Sequence, residues 1–103
     1  YTCRGGHIVG PLMNLSFLNL QDEDLSGLNL KKSNFEGVNL SFSNLTGANL
    51  NQTDFVDSNL TDANLTDADL SGADLTGANL NGVRWENTIC PDGTNSDNHG
   101  NTC

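Results

Sequence analysis

The chain has 103 residues, enough for one domain, and carries 13 acidic against four basic side chains for a formal net charge of −9. That balance disfavours nucleic-acid binding through phosphates, and the absence of an 18-residue apolar run excludes a spanning helix. The hydrophobic fraction of 35% is low enough to suggest disorder unless its apolar residues share one register.

Residues 1–11, YTCRGGHIVGP, match no known motif. They begin at Tyr1 without Met, which reads as a processed chain or a piece of a longer one. Their apolar content is Ile8 and Val9, which with Leu12 are expected to lie over whatever core follows.

From residue 12 to residue 89 one pattern governs the chain. Every fifth residue from Leu15 is Leu or Phe: Leu15, Leu20, Leu25, Leu30, Phe35, Leu40, Leu45, Leu50, Phe55, Leu60, Leu65, Leu70, Leu75 and Leu80. Each is preceded by Asn or Asp, and the later repeats place Ala two positions before the centre, at Ala48, Ala63, Ala68, Ala73 and Ala78. Internal repetition of this kind decides the fold before any other signal.

Neither regular element accommodates a period of five. Five residues of α-helix turn about 500°, so the leucines would drift round the circumference. On a flat strand an odd period sends successive leucines to opposite faces. They share one interior only if the chain bends once per five residues. Four such bends close a square and lift the chain to the next level, giving coils of about 20 residues one strand spacing (~4.8 Å) apart. The reading is an all-β fold of about four coils, with its interior filled by the centres.

The A-[D/N]-L-x-x pattern over residues 12–89 resembles that of the pentapeptide-repeat proteins. The resemblance implies a right-handed quadrilateral β-helix, a solenoid whose central Leu or Phe and the residue two before it point inward. The second residue after each centre then sits at a corner where a type II turn requires positive φ. Gly27, Gly37, Gly47, Gly72, Gly77 and Gly82 suit that corner, and the Asp or Asn at 22, 57, 62, 67 and 87 tolerates it. Phe17, Lys32, Phe42 and Gln52 do not suit it, and other turn types are expected there.

A solenoid exposes core and backbone at its ends and needs caps. At the far end Trp85 holds a centre position but is bulky for a narrow interior, and its indole is expected to help close the last coil. The tail TICPDGTNSDNHGNTC resembles the C-terminal cap of exported cyanobacterial and chloroplast-lumen family members. Of the three cysteines, Cys3 stands about 15–20 Å from the other end of a four-coil rod, beyond the ~7 Å that disulfide Cα atoms allow. Cys90 and Cys103 remain, closing a capping loop over 90–103 worth about 3 kcal/mol. A structural disulfide points to an oxidising compartment, periplasm or thylakoid lumen.

A filled interior leaves no pocket for catalysis, and His7 and His99 lie in opposite terminal segments, so no catalytic residue and no cofactor is expected. No metal site is expected either. The sequence NSDNHG at 95–100 echoes the start of a calcium loop but lacks its twelfth-position Glu. Some pentapeptide-repeat proteins resemble DNA in shape and charge and inhibit DNA gyrase. That alternative needs acids running along the rod, whereas Asp54, Asp57, Asp62, Asp67, Asp69 and Asp74 wrap round about one coil as a belt. No two-wide Thr ladder of the ice-binding kind appears: Ser26 and Glu86 flank Thr46 and Thr66.

A protein-interaction or scaffold module remains, with a protein as the expected partner. Its candidate contacts are the apolar breaks in the polar exterior, Phe17 and Phe42 at corners and Val56 one place after a centre. Isolated surface apolar residues are common and by themselves need no explanation.

Overall fold

The computed structural model describes residues 2–103. The chain opens with a two-stranded antiparallel hairpin, β1 (Thr2–Arg4) and β2 (His7–Val9), with Cys3 opposite Ile8. The turn between them is Gly5-Gly6, both at positive φ. A tight hairpin turn of that handedness is accessible to glycine at little cost.

Beyond the hairpin the backbone forms a coil held by parallel bridges between residues 20 apart. They run in four columns: 14–34–54–74, 19–39–59–79, 24–44–64–84 and 29–49–69–89. Each coil is stitched to the next by three sets of hydrogen bonds, one of them from the corner N–H, as Asp22 donates to Ser41 O at 3.0 Å. The centre donates its N–H upward, as Leu20 does to Asn39 O at 2.7 Å, and the residue before it donates downward, as Asn39 does to Leu18 O at 2.9 Å. The rod measures 36 × 22 × 22 Å. No described helix is long and apolar enough to cross a membrane.

The core is one stack of centres. From Leu15 to Leu70 every centre is at most 2% exposed. Phe35 and Phe55 lie face to face within it, and Val38, Ala48, Ala63 and Ala68 fill the inward positions two before the centres. Some of those inward positions hold hydroxyls instead. Buried Ser33, Ser43 and Thr88 each donate to a carbonyl of the coil below, at Gly10, Leu20 and Leu65, and Thr53 donates to Leu50 O. Ser58 Oγ alone has no partner among the described residues.

The corners correct the expectation for Phe17, Lys32, Phe42 and Gln52. Every fifth residue from Leu12 to Asn87 has positive φ, these four among them at 61°, 61°, 60° and 58°. A left-handed conformation costs an L-residue about 1–2 kcal/mol. The corner cannot avoid it, because its two ladder bonds and the four-residue turn bond, such as Val38 N–H to Phe35 O at 3.0 Å, fix the peptide plane on both sides.

The ends also differ from expectation. Only Val9 of the N-terminal apolar residues covers the core, while Ile8 and Leu12 are exposed. Neighbours on a strand point to opposite sides, which separates Ile8 from Val9, and Leu12 occupies a corner at φ 59°. At the other end Leu75 and Leu80 are half-exposed, as is Trp85, although all three still pack on the core. No described coil lies above them. The tail folds back over one edge only: Ile89 bridges Asn95 antiparallel, Ser96 N–H bonds Thr88 O, and Cys90 is joined to Cys103 with Cα atoms 5.3 Å apart. The NSDNHG segment is a 3-10 helix, Ser96–His99, started by the Asn95 side chain and ended at left-handed Gly100.

Candidate functional site

The surface is built from three positions of each repeat: the Asn or Asp before the centre, the residue after it, and the corner. The Asn or Asp has a specific local task. Its Oδ1 accepts the N–H of the residue two places on, as Asn44 does from Thr46 at 3.0 Å and Asn59 from Thr61 at 3.0 Å. Where that residue is Ser or Thr, its hydroxyl donates to the same oxygen, at 2.6 Å in both cases. This side-chain turn explains why Asn or Asp precedes each centre from Leu15 to Leu80, a rule visible in the sequence without its reason.

The same geometry divides the six acids of the belt. Asp54, Asp69 and Asp74 occupy the pre-centre position and spend their carboxylates on Val56 N–H, on Ser71 N–H and Oγ, and on Thr76 N–H and Oγ1. The two hydrogen bonds from Thr76 hold the Asp74 carboxyl below the ordinary value of 3.8, and Ser26 does the same for Asp24. Asp57, Asp62 and Asp67 stand at exposed corners. Asp57 and Asp62 lean against Gly77 and Gly82 of the coil above, and Asp67 accepts from Asn87 Nδ2 at 2.8 Å.

The apolar candidates are likewise separated in kind. Phe17 and Phe42 are 72% and 55% exposed, and Leu12 is 71% exposed. The Phe17 ring lies over Gly37, so closely that a β-carbon there would collide with it. Phe17 and Phe42 stand on different corner columns, one against Gly37 of the coil above it and the other between Asp22 and Asp62. Val56 is half-buried and serves the ladder, receiving Gly37 N–H on its carbonyl at 2.9 Å.

Two shallow depressions, of about 260 and 200 Å³, open on the outside near the N-terminal end, lined by Val9, Pro11, Leu28 and by Leu12, Lys31, Lys32. Neither gathers histidines, cysteines or carboxylates, and no group of these that would hold a metal ion exists among the described residues. His99 Nε2 lies 2.7 Å from Thr94 Oγ1, whose hydrogen goes to Asp92. That chain of bonds pins the capping loop.

The family model of pentapeptide repeats matches residues 14–47 and 43–82, in eight copies. This chain belongs to the pentapeptide-repeat family. Among solved structures it is similar to a pentapeptide-repeat protein of the Arabidopsis thaliana thylakoid lumen, 37% identical over 71% of this chain and 50% of that one, with TM-score 0.70. A pentapeptide-repeat protein from Nostoc is 28% identical over 86% of this chain and 76% of that one, with TM-score 0.68. HetL, a Nostoc pentapeptide-repeat protein involved in heterocyst differentiation regulation, is 31% identical over 81% of this chain and 41% of that one, with TM-score 0.50. The chain thus spans about half the length of the Arabidopsis protein. A comparison with the curated proteins found no match. Family and neighbours make the bridged coil a right-handed β-helix solenoid.

Proposed function

We propose that this pentapeptide-repeat chain is a non-enzymatic interaction or scaffold module working outside the cytoplasm, its partner a protein. In this reading the solenoid is four-sided, with about four coils between the N-terminal hairpin and the disulfide-closed loop. The observation that carries the proposal is the set of large exposed apolar side chains on a polar rod: Leu12, Phe17 and Phe42 stand out, each on a different corner column, at corners whose backbone is held by ladder bonds. Side chains on fixed corners lose little freedom on binding, which is what a docking surface requires. Asp57, Asp62 and Asp67 add exposed charge round the same rod.

The Cys90–Cys103 bridge supports an oxidising compartment, in line with the thylakoid-lumen origin of the Arabidopsis relative. The geometry favours this reading over an acidic DNA mimic, because three of the six belt carboxylates are turned onto their own backbone rather than outward.

Cross-linking capture from the native compartment with the unaltered chain, with Phe17→Ser and with Phe42→Ser tests the proposal. A partner lost from either variant, with the fold unchanged by circular dichroism, supports it. A captured set identical for all three chains removes these corners as the contact surface.

A further inference from the structure

The open last coil contains one corner peptide that joins an asparagine to a glycine whose N–H is unpaired among the described residues. At the corners of the middle coils the peptide is held twice, its carbonyl accepting from the coil below and its N–H donating to the coil above, whereas the N–H groups of Gly77 and Gly82 in the last coil have no acceptor among the described residues. At Asn51-Gln52 the carbonyl accepts from Lys32 N–H at 2.9 Å and the Gln52 N–H donates to Ser71 O at 2.8 Å. At Asn81-Gly82 only the lower bond exists, Asp62 N–H to Asn81 O at 2.9 Å. The Gly82 N–H meets no acceptor among the described residues, and the exposed Asn81 side chain makes no hydrogen bond. Asn81-Gly82 is also the only Asn-Gly step in the sequence.

From this we infer that Asn81 is a site of spontaneous deamidation and isoaspartate formation, a modification that the repeat architecture suppresses at its other Asn corner. The backbone nitrogen of Gly82 loses its proton to solvent base and attacks Asn81 Cγ. The bond from Cγ to the side-chain nitrogen breaks, ammonia leaves, and a five-membered succinimide forms. Water then opens either carbonyl, giving aspartate or isoaspartate at position 81.

Two structural features favour that path at Asn81 and are missing at Asn51, the other corner with a preceding Asn. Glycine presents no β-carbon against the approaching side chain, and its nitrogen is not tied up by an acceptor. Ring closure also requires the corner peptide plane to turn, which breaks one ladder bond here and two at Asn51. The product adds a negative charge beside Asp62, which lies against Gly82, on a chain already at −9. Isoaspartate additionally lengthens the main chain within the corner, which spoils the five-residue register of the last coil.

The test is to age the full chain, disulfide intact, at mildly alkaline pH and follow each asparagine by peptide mapping with isoaspartyl methyltransferase labelling. Asn81 is expected to lose its amide about tenfold faster than Asn51 or more, and Asn81→Ser to abolish the label. The Gln52→Gly variant supplies the deciding control. It places the same dipeptide at an interior corner already at φ 58°, where glycine fits without strain. Asn51 should remain protected there by the bond to Ser71. The inference is overturned if Asn81 keeps its amide, or if Asn51 in the Gln52→Gly variant reacts as fast as Asn81.

Discussion

Phe35 and Phe55 stack with ring centroids 4.9 Å apart and planes within 7° of parallel. They are 20 residues apart in one column, so the ladder sets the separation at one strand spacing, about 4.8 Å. The rings have no room to adopt an edge-to-face arrangement. The stack is therefore a consequence of the coil, and it adds about 0.5–1.5 kcal/mol beyond area burial. Phe55→Ala should cost about 3–5 kcal/mol in urea denaturation. In a double-mutant cycle, Phe35→Leu with Phe55→Leu should lose about 1 kcal/mol less than the two single changes together. Strict additivity would show that the rings merely occupy volume.

Ser58 is the exception among the inward hydroxyls. Ser33, Ser43 and Thr88 reach a carbonyl of the coil below, and Ser58 Oγ reaches nothing. Burying an unpaired hydroxyl costs about 1–3 kcal/mol, and alanine fits the position, as Ala78 does one coil later in the same column. Ser58→Ala should raise stability by about 1 kcal/mol, while Ser43→Ala, which removes a made bond to Leu20 O, should lower it. A loss of stability in Ser58→Ala, measured by the same denaturation, would mean that the hydroxyl is satisfied in solution.

The period of five made the solenoid legible because only one kind of backbone hides those centres together. The ends were less so, since Leu75 and Leu80 obey the same sequence rule as Leu40 yet lie half-exposed for want of a coil above. The Asn or Asp rule was visible at every repeat without the turn that explains it. The corners were misread at Phe17, Lys32, Phe42 and Gln52, because a residue's reluctance to take positive φ is worth only about 1–2 kcal/mol and three backbone bonds oppose it. The same comparison yields a prediction. Lys32 is exposed and sits at φ 61°, so Lys32→Gly should stabilise by about 0.5–1 kcal/mol despite the greater freedom of glycine in the unfolded chain. Destabilisation on denaturation would show that the Lys32 side chain contributes more than its corner costs.

Asp24, Asp74 and Asp92 each accept from a hydroxyl and a backbone N–H two places on, from Ser26, Thr76 and Thr94, and each carboxyl is held below the ordinary 3.8. A carboxyl whose value is lower folded than unfolded binds its proton more weakly in the fold. Its contribution is present above 3.8 and is lost as pH falls below 3.8 through the folded value. The melting temperature should be insensitive to these three groups near neutrality and should drop on acidification below about pH 4. Thr76→Val removes the leading cause at Asp74 and should move that carboxyl back up in an NMR titration, leaving Asp24 in place. An unmoved Asp74 would assign its shift to something other than the hydroxyl.

The disulfide acts on one edge of an end that is otherwise open. Cys90 closes the last coil as a buried centre, Cys103 ends the described chain, and 13 positions separate them. Between them the capping loop makes the bonds that finish the ladder: Ser96 N–H to Thr88 O, Cys90 N–H to Thr94 O, and Asn87 N–H to Asp97 Oδ1. A closed loop of that length is worth about 3 kcal/mol, and its effect is expected to stay local because each coil contacts only its neighbours. Reduction should therefore raise hydrogen exchange at the amides of Asn87, Cys90 and Ser96. Asn39 and Asn59, bonded to Leu18 O and Val38 O deep in the ladder, should keep their protection. If reduction instead releases all of these amides together, the solenoid unfolds as one unit and the bridge sets the stability of the whole rod.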